Sequence, residues 1–297
     1  MSTAIDRLMA EEDLPSDYRA IVDRYWRPLS EDIAEQSIEQ PPGKPLIVGV
    51  NGAQGSGKST MCRFLEVLLV EHNQRAITLS LDDLYLTLAE RRELAASCHP
   101  LFATRGVPGT HDVGLGEAIL DALMEGRRPI LPRFDKAADD RAAEGTPVES
   151  KVDVILFEGW CVGAVPQAET ALREPVNALE RDEDPDGVWR REVNRRLATD
   201  YAQMFGRLDL LIMLRVGSFE AVRAGRKRQE DKLAARSPGG AAILDDAALD
   251  WFLMHYERLT RWMLEEMPAR ANVVIEIGAD QQAWGQPRAF QPGTVES

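Results

Sequence analysis

The chain of 297 residues is 44% hydrophobic and 28% charged, with 35 Lys+Arg against 49 Asp+Glu and a formal net charge of −14. That size and balance describe one large globular domain, or a core with appendages. The acidic surplus excludes a nucleic-acid backbone or an anionic membrane surface as the main partner, so a small anionic substrate would need a local basic cluster.

Met1 to Glu12 contains no apolar leader, and no run approaches about 18 apolar residues, so neither export nor membrane insertion is expected. Residues 14–40 read as two peripheral helices. Asp13-Leu14-Pro15-Ser16 starts the first, with Ile21, Tyr25 and Trp26 on one face; Pro28 breaks it, and Ser30 caps a second running to about Gln40. Pro41-Pro42-Gly43-Lys44-Pro45 is a linker, so residues 1–44 form an N-terminal helical extension.

Strands are then predicted at 46–51, 76–81, 152–157, 209–215 and 273–277, and helices at 58–72, 114–126, 188–205, 219–235 and 245–266. Alternating helices and near-continuous apolar strands predict an α/β fold, its mainly parallel five-stranded sheet covered on both faces in three layers. Such sheets bind ligands beyond the carboxyl ends of their strands. Residues 98–112 and 132–147 are irregular, rich in Gly, Pro, Arg and Asp, and too long for simple connectors. Glu180-Arg181-Asp182-Glu183-Asp184-Pro185-Asp186-Gly187 reads as a solvated acidic insertion, and residues from 279 on as loosely held. The main domain is thus expected over 45–280, with 281–297 a C-terminal tail. Cys62, Cys98 and Cys161 are widely spaced, without a C-x-x-C pair, and read as reduced, packed thiols of a cytosolic protein. The four histidines show no metal-ligand spacing.

The segment Gly52-Ala53-Gln54-Gly55-Ser56-Gly57-Lys58-Ser59 fits G-x-x-x-x-G-K-[ST] and lies where that phosphate-binding loop belongs. The apolar strand Leu46–Val50 precedes it. Met61, Phe64, Leu65, Leu68 and Leu69 follow at helical spacing. Glycines let successive N–H groups point inward at phosphate oxygens, and the helix N-terminus adds partial positive charge. Lys58 would reach the β- and γ-phosphates, and the Ser59 hydroxyl would ligate Mg²⁺.

After the second strand, Ser80-Leu81-Asp82-Asp83-Leu84-Tyr85 places two carboxylates at a strand end. One of them is expected to accept the proton of an attacking hydroxyl, with Asp82 first choice and Asp83 able to serve the metal; as helix caps, either would simply start a helix around 83–94. Val154 to Trp160 is a buried strand closed by Glu158, an acid that needs a metal or a partner, hence a Mg²⁺-side carboxylate. Cations come from Arg105 and His111 in one loop, and from Arg133, Lys136 and Arg141 in another. Arg223, Arg226, Lys227 and Arg228 lie early in the helix after 209–215, either as a lid over the transferring phosphoryl or as a solvated face with pairs such as Arg226–Glu230.

Together these pieces resemble the D-glycerate 3-kinase family, a branch of the P-loop kinases near phosphoribulokinase, uridine kinase and bacterial pantothenate kinase. The resemblance rests on GAQGSGKST (52–60), SLDDLYLT (80–87), RGVPGTHD (105–112), PRFDKA (132–137) with Asp140-Arg141, and LFEGW (156–160). It continues more weakly through Val193-Asn194 and Leu197 to Tyr201, and into 219–235. It implies ATP and Mg²⁺ as cofactors, D-glycerate as acceptor and 3-phosphoglycerate as product. It also implies Asp82 as the catalytic aspartate; on the reading of the residues, Gly52 to Thr60 would hold the nucleotide, Ser59 and Glu158 the metal, and Lys58 and Arg226 would join Asp82 in catalysis. Asp83, Tyr85, Arg105, His111, Arg133, Lys136 and Arg141 would hold the substrate. Gly225 stands where the family often has an aromatic before the lid arginine, and the 180–187 insertion looks private. Rival readings are a kinase for pantothenate, a nucleoside or a pentose phosphate, or a nucleotide-dependent switch or ATPase. The chain has no N-K-x-D segment of a GTPase and no L-S-G-G-Q segment of a transporter ATPase. Oligomeric state leaves no trace in the sequence.

Overall fold

The structure, a computed structural model, describes residues 3–236, 246–278 and 282–285. α1 (Ala4–Glu11) opens on a reciprocal cap, in which Thr3 Oγ1 accepts from the Asp6 N–H and Asp6 Oδ2 from the Thr3 N–H. α2 (Tyr18–Ile21) and α3 (Arg27–Glu39) are joined without a break by a π-turn over Val22–Trp26. Pro28, expected to end a helix, instead sits in the first turn of α3. The Arg27 N–H bonds back to the Val22 carbonyl, five residues away, and this wider turn makes room for a ring that has no N–H to donate. Ser30 is no cap; it is buried, donating to the Arg27 carbonyl at 2.7 Å.

β1 (Leu46–Gly52) is buried along its whole length and leads into α4 (Lys58–Glu71). The predicted face of α4, Met61, Phe64, Leu65, Leu68 and Leu69, is fully buried. It packs with Ile5, Leu8, Val22, Tyr25 and Ile33 of the N-terminal helices in one core cluster. The extension is helical as read, but it forms a wall of the core rather than a peripheral addition.

β2 (Ala76–Ser80) ends in a 3₁₀ turn over Leu81–Leu84, and α5 (Leu88–Ser97) starts only afterwards. A capping box between Thr87 and Glu90 sets that start, which leaves both acids in the turn instead of inside a helix from 83. α6 (Val113–Met124) is capped by Asp112. The 132–147 region, expected to be irregular, belongs to a nested antiparallel hairpin. β3 (Ile130–Leu131) pairs with β6 (Thr146–Pro147) outside β4 (Phe134–Asp135) and β5 (Asp140–Arg141).

β7 (Val154–Gly159) is followed by α7 (Ala178–Glu183), α8 (Val188–Ala198) and α9 (Asp200–Phe205). The acidic stretch is only partly solvated, because Glu180 and Asp184, one helical turn apart, point inward. Glu180 binds Arg258 at 2.6 Å and Asp184 binds Arg190 at 3.0 Å, all four side chains at 10% exposure or less. The single helix expected over 188–205 breaks at Thr199, and α9 then turns Tyr201, Met204 and Phe205 into the core.

β8 (Leu210–Val216), α10 (Phe219–Arg236), α11 (Asp246–Glu266), β9 (Val273–Ile277) and β10 (Ala283–Trp284) complete the described chain. The sheet order is β10-β9-β8-β1-β7-β2, parallel except for β10. The five expected strands are therefore joined by a sixth, which lies within the stretch read as a loosely held tail. Tyr25 ties it down, donating to the Gly285 carbonyl at 2.8 Å. Cys62 and Cys161 are buried free thiols and Cys98 is half-buried. Among the described residues no helix is long and apolar enough to cross a membrane.

Candidate active site

Parallel register brings Val50, Glu158 and Ser80 side by side at the carboxyl edge of the sheet. The loop from β1 into α4 therefore opens beside the ends of β7 and β2. Gly57 has φ of +88°, a left-handed conformation that starts α4 and that a side chain would strain. A Cβ on Gly52 would lie 2.5 Å from Ser56 Oγ. Inside this cradle Gln54 Oε1 and Ser56 Oγ are buried without a hydrogen-bond partner, and Lys58 Nζ rests on the Ala53 carbonyl at 3.2 Å. Buried polar atoms normally find partners, so a ligand with oxygen and hydroxyl functions fits the cradle. Glu158, 6% exposed, has its charge answered by two hydroxyls: Ser59 Oγ at 3.0 Å and Ser80 Oγ at 2.9 Å. The set Ser59 and Glu158 is hard-oxygen chemistry suited to Mg²⁺. Ser80 was not singled out by the sequence; only the β2–β7 register shows that it shares Glu158.

The two neighbouring acids have different partners. Asp82 accepts from the Tyr85 hydroxyl at 3.0 Å and from Lys136 Nζ at 2.8 Å. Burial works to raise this carboxyl, but Lys136 and then Lys58 more than offset it, so it stays below its ordinary value and ionised. Tyr85 is buried, which pushes its phenol well up and keeps it a donor. Asp83 accepts from Arg133 Nη1 at 2.7 Å and from the Phe134 N–H at 3.0 Å, so it holds the hairpin in place.

Each arginine and lysine expected to hold substrate already has an acid. Besides Lys136–Asp82 and Arg133–Asp83, Arg105 pairs with Asp139, and Arg141 with Asp112 at 3.2 Å. Arg91, which the sequence reading passed over, is 1% exposed. It donates to the Leu86, Ala103 and Asp139 carbonyls and meets the Asp139 carboxylate at 3.0 Å. It thereby ties α5 to both loops. Arg91 and Arg105 lie 5.9 and 5.5 Å from the centre of the Phe134 ring. An arginine inside a short helix carries no sequence signal of such a role.

His111 is buried, stacked on Tyr85 with centroids 4.5 Å apart and hydrogen-bonded to Tyr201 at 2.7 Å. Tyr256 of α11 donates to the Arg105 carbonyl at 3.0 Å, and Trp160 Nε1 to the Gly106 carbonyl at 2.8 Å. Gly106, with φ of +139°, is required there, since a Cβ would fall 2.0 Å from the Tyr256 hydroxyl oxygen. Arg226 is half-buried on α10, and its charge is among those that act on the Tyr256 phenol. Arg223 and Lys227 face α11 instead, paired with Asp250 and Asp246. The side chains of Arg228 and Glu230 lie outside the described residues.

No protein-family model matches the chain. "Uncharacterized kinase mug58" of Schizosaccharomyces pombe is 35% identical over 230 residues, covering 73% of this chain and 80% of that one. "D-glycerate 3-kinase, chloroplastic" of Arabidopsis thaliana is 29% identical over 255 residues, 80% of this chain and 53% of that protein. The chain thus spans about half the length of the plant relative. A solved D-glycerate 3-kinase from Cryptococcus neoformans shares the fold, with a TM-score of 0.72 at 24% identity over 89% of this chain and 97% of that one. With its phosphate loop in place and a kinase relative alike across most of both sequences, the chain belongs to the D-glycerate 3-kinase family of P-loop small-molecule kinases, phosphotransferases with an alcohol acceptor.

Proposed function

We propose that the protein transfers the γ-phosphoryl group of ATP to the primary hydroxyl of D-glycerate. The observation that carries this is the contact at the mouth of the phosphate loop, a carboxylate and an ammonium 2.8 Å apart on Asp82 and Lys136. A small hydroxy acid matches that pair, offering a hydroxyl to the carboxylate and a carboxylate to the ammonium only a few bonds apart. The kinase name of the plant relative supports the same acceptor.

ATP·Mg²⁺, when bound, supplies the phosphoryl group and a cation to neutralise its oxygens. Lys58, the loop N–H groups and the N-terminus of α4 hold the phosphates, while Ser59 and Glu158 hold the metal. Asp82, ionised at neutral pH, takes the proton of the attacking hydroxyl. Lys136 and His111 orient the acceptor. Arg105, Arg133 and Arg141 shape the loops around it, and Arg226 answers charge on the phosphoryl from the α10 side.

The test is ADP release in the presence of ATP·Mg²⁺ with D-glycerate, L-glycerate, uridine, pantothenate or ribulose 5-phosphate. D-glycerate should give the highest kcat/KM. Turnover of uridine or pantothenate with none of D-glycerate would overturn the acceptor. ADP release indifferent to every acceptor would overturn small-molecule transfer altogether.

A further inference from the structure

His111 is 4% exposed, and its Nε2 has no hydrogen-bond partner in the structure, while its Nδ1 lies 2.7 Å from the Tyr201 hydroxyl. That hydroxyl oxygen already accepts the Gly109 N–H at 3.0 Å. A phenol has one proton to give, and among the described residues His111 Nδ1 is the one acceptor within hydrogen-bond distance of the Tyr201 hydroxyl, so that proton goes to Nδ1. Nδ1 is then bare, and the neutral ring carries its hydrogen on Nε2.

Burial holds the ring neutral, lowering its pKa to about 3 despite the opposing pull of Asp82. The ring cannot wander. Tyr85 and His111 form an antiparallel bridge, the Asp112 N–H bonds the Leu84 carbonyl at 2.7 Å, and the Leu86 N–H bonds the Thr110 carbonyl at 2.9 Å. The Tyr85 ring on which His111 stacks places its hydroxyl on Asp82. Neutrality matters there. An imidazolium would pair with Asp82 and weaken it as a base, whereas a neutral N–H can bond an acceptor oxygen without doing so.

We propose that Tyr201 is a positioning residue that fixes His111 as the neutral Nε2–H tautomer, a preset hydrogen-bond donor to the acceptor beside Asp82. The second half rests on the assignment of D-glycerate as acceptor.

The experiment has two readouts. Long-range ¹H–¹⁵N spectra of the imidazoles in the wild-type protein, with the His111 signal identified by its loss in His111→Gln, report the tautomer directly. The Nε2–H form between pH 6 and 8, with the Nε2 signal shifted by D-glycerate, is the expected result. Tyr201→Phe keeps the ring but removes the hydroxyl. It should mix the tautomers and raise the KM for D-glycerate about tenfold, the worth of one hydrogen bond, while kcat and the KM for ATP stay near wild type. His111→Gln retains an N–H donor and should lose less D-glycerate affinity than His111→Leu. An Nδ1–H or protonated ring in the wild-type spectrum would overturn the proposal, even if Tyr201→Phe fails to fold. So would an unchanged KM for D-glycerate in a folded Tyr201→Phe protein, or equal losses for both substrates. Were D-glycerate not turned over by the wild-type protein, the acceptor assignment and the donor role would fall together, and the spectrum would still decide the tautomer.

Discussion

On the phosphate side of the site, Lys58 rests on a backbone carbonyl while Gln54 Oε1 and Ser56 Oγ lie buried without partners. On the loop side, Arg105, Arg133, Lys136 and Arg141 each face an acid of the same chain. One half keeps a lysine with no ion-pair partner among the described residues; the other is neutralised internally and opens only to a ligand that replaces one of those acids. The exchange need not cost much. Exposed ion pairs are worth about 0–1 kcal/mol, and Lys136–Asp82 is the most open of the four, its side chains 64% and 35% exposed. Buried Arg91, locked on Asp139 and two other carbonyl-bearing segments, keeps the frame in place while the outer pair changes partner.

The largest expected effect breaks the phosphate half. Lys58→Ala should lower kcat/KM by about 10³–10⁵-fold, the range for a cation on a transferring phosphoryl group, and weaken nucleotide binding in a titration. Near-normal turnover in a folded variant would refute the assignment of that half. Next, Asp82→Asn should lower kcat by about 10²–10⁴-fold with nucleotide affinity kept, as for a positioned base. Asp83→Asn should instead loosen the hairpin that Arg133 and the Phe134 N–H tie to it, showing as a raised KM for D-glycerate and a lower Tm. A larger kcat loss from Asp83→Asn would exchange the two roles.

Lys136→Met sharpens the idea of a replaceable partner. Removing the ammonium raises the Asp82 pKa, so the acid limb of kcat/KM against pH should move to higher pH, with a weaker grip on D-glycerate. An unmoved limb would mean that Lys136 does not set the base.

The smallest effect concerns His111, whose folded pKa of about 3 lies below the unfolded 6.5. Between those values the unfolded chain binds the extra proton, so stability falls as pH drops below about 6.5. By pH 5 this one group should account for about 2 kcal/mol of the loss. His111→Gln should therefore flatten the decline of unfolding free energy from pH 7.5 to 5. A parallel decline in both proteins would show that the ring is not held neutral.

The phosphate half was legible because its chemistry is local: nine consecutive residues supply the turn, the donors and the hydroxyl. The loop half was legible only as an inventory of charges. Its pairings join residues 50 positions apart for Asp83–Arg133 and 54 for Asp82–Lys136, which no spacing rule foresees. The same limit hid Glu180–Arg258, 78 positions apart, behind what read as a solvated acidic run. It also concealed what the apolar face of the N-terminal helices packs against. Pro28 misled for the opposite reason, since a local rule was overridden by a local π-turn.

The N-terminal wall has a consequence for the order in which the molecule can be made. Ile5, Leu8, Val22 and Ile33 share their core cluster with Val273, Ile275 and Ile277 of β9, and the Tyr25 bond to Gly285 spans 260 positions. At roughly 5–20 residues per second, these helices wait roughly 13–50 s for the strand that completes their cover. Through that interval α4 and the earlier strands cover their apolar face only in part, and the remainder is open to whatever else is nearby.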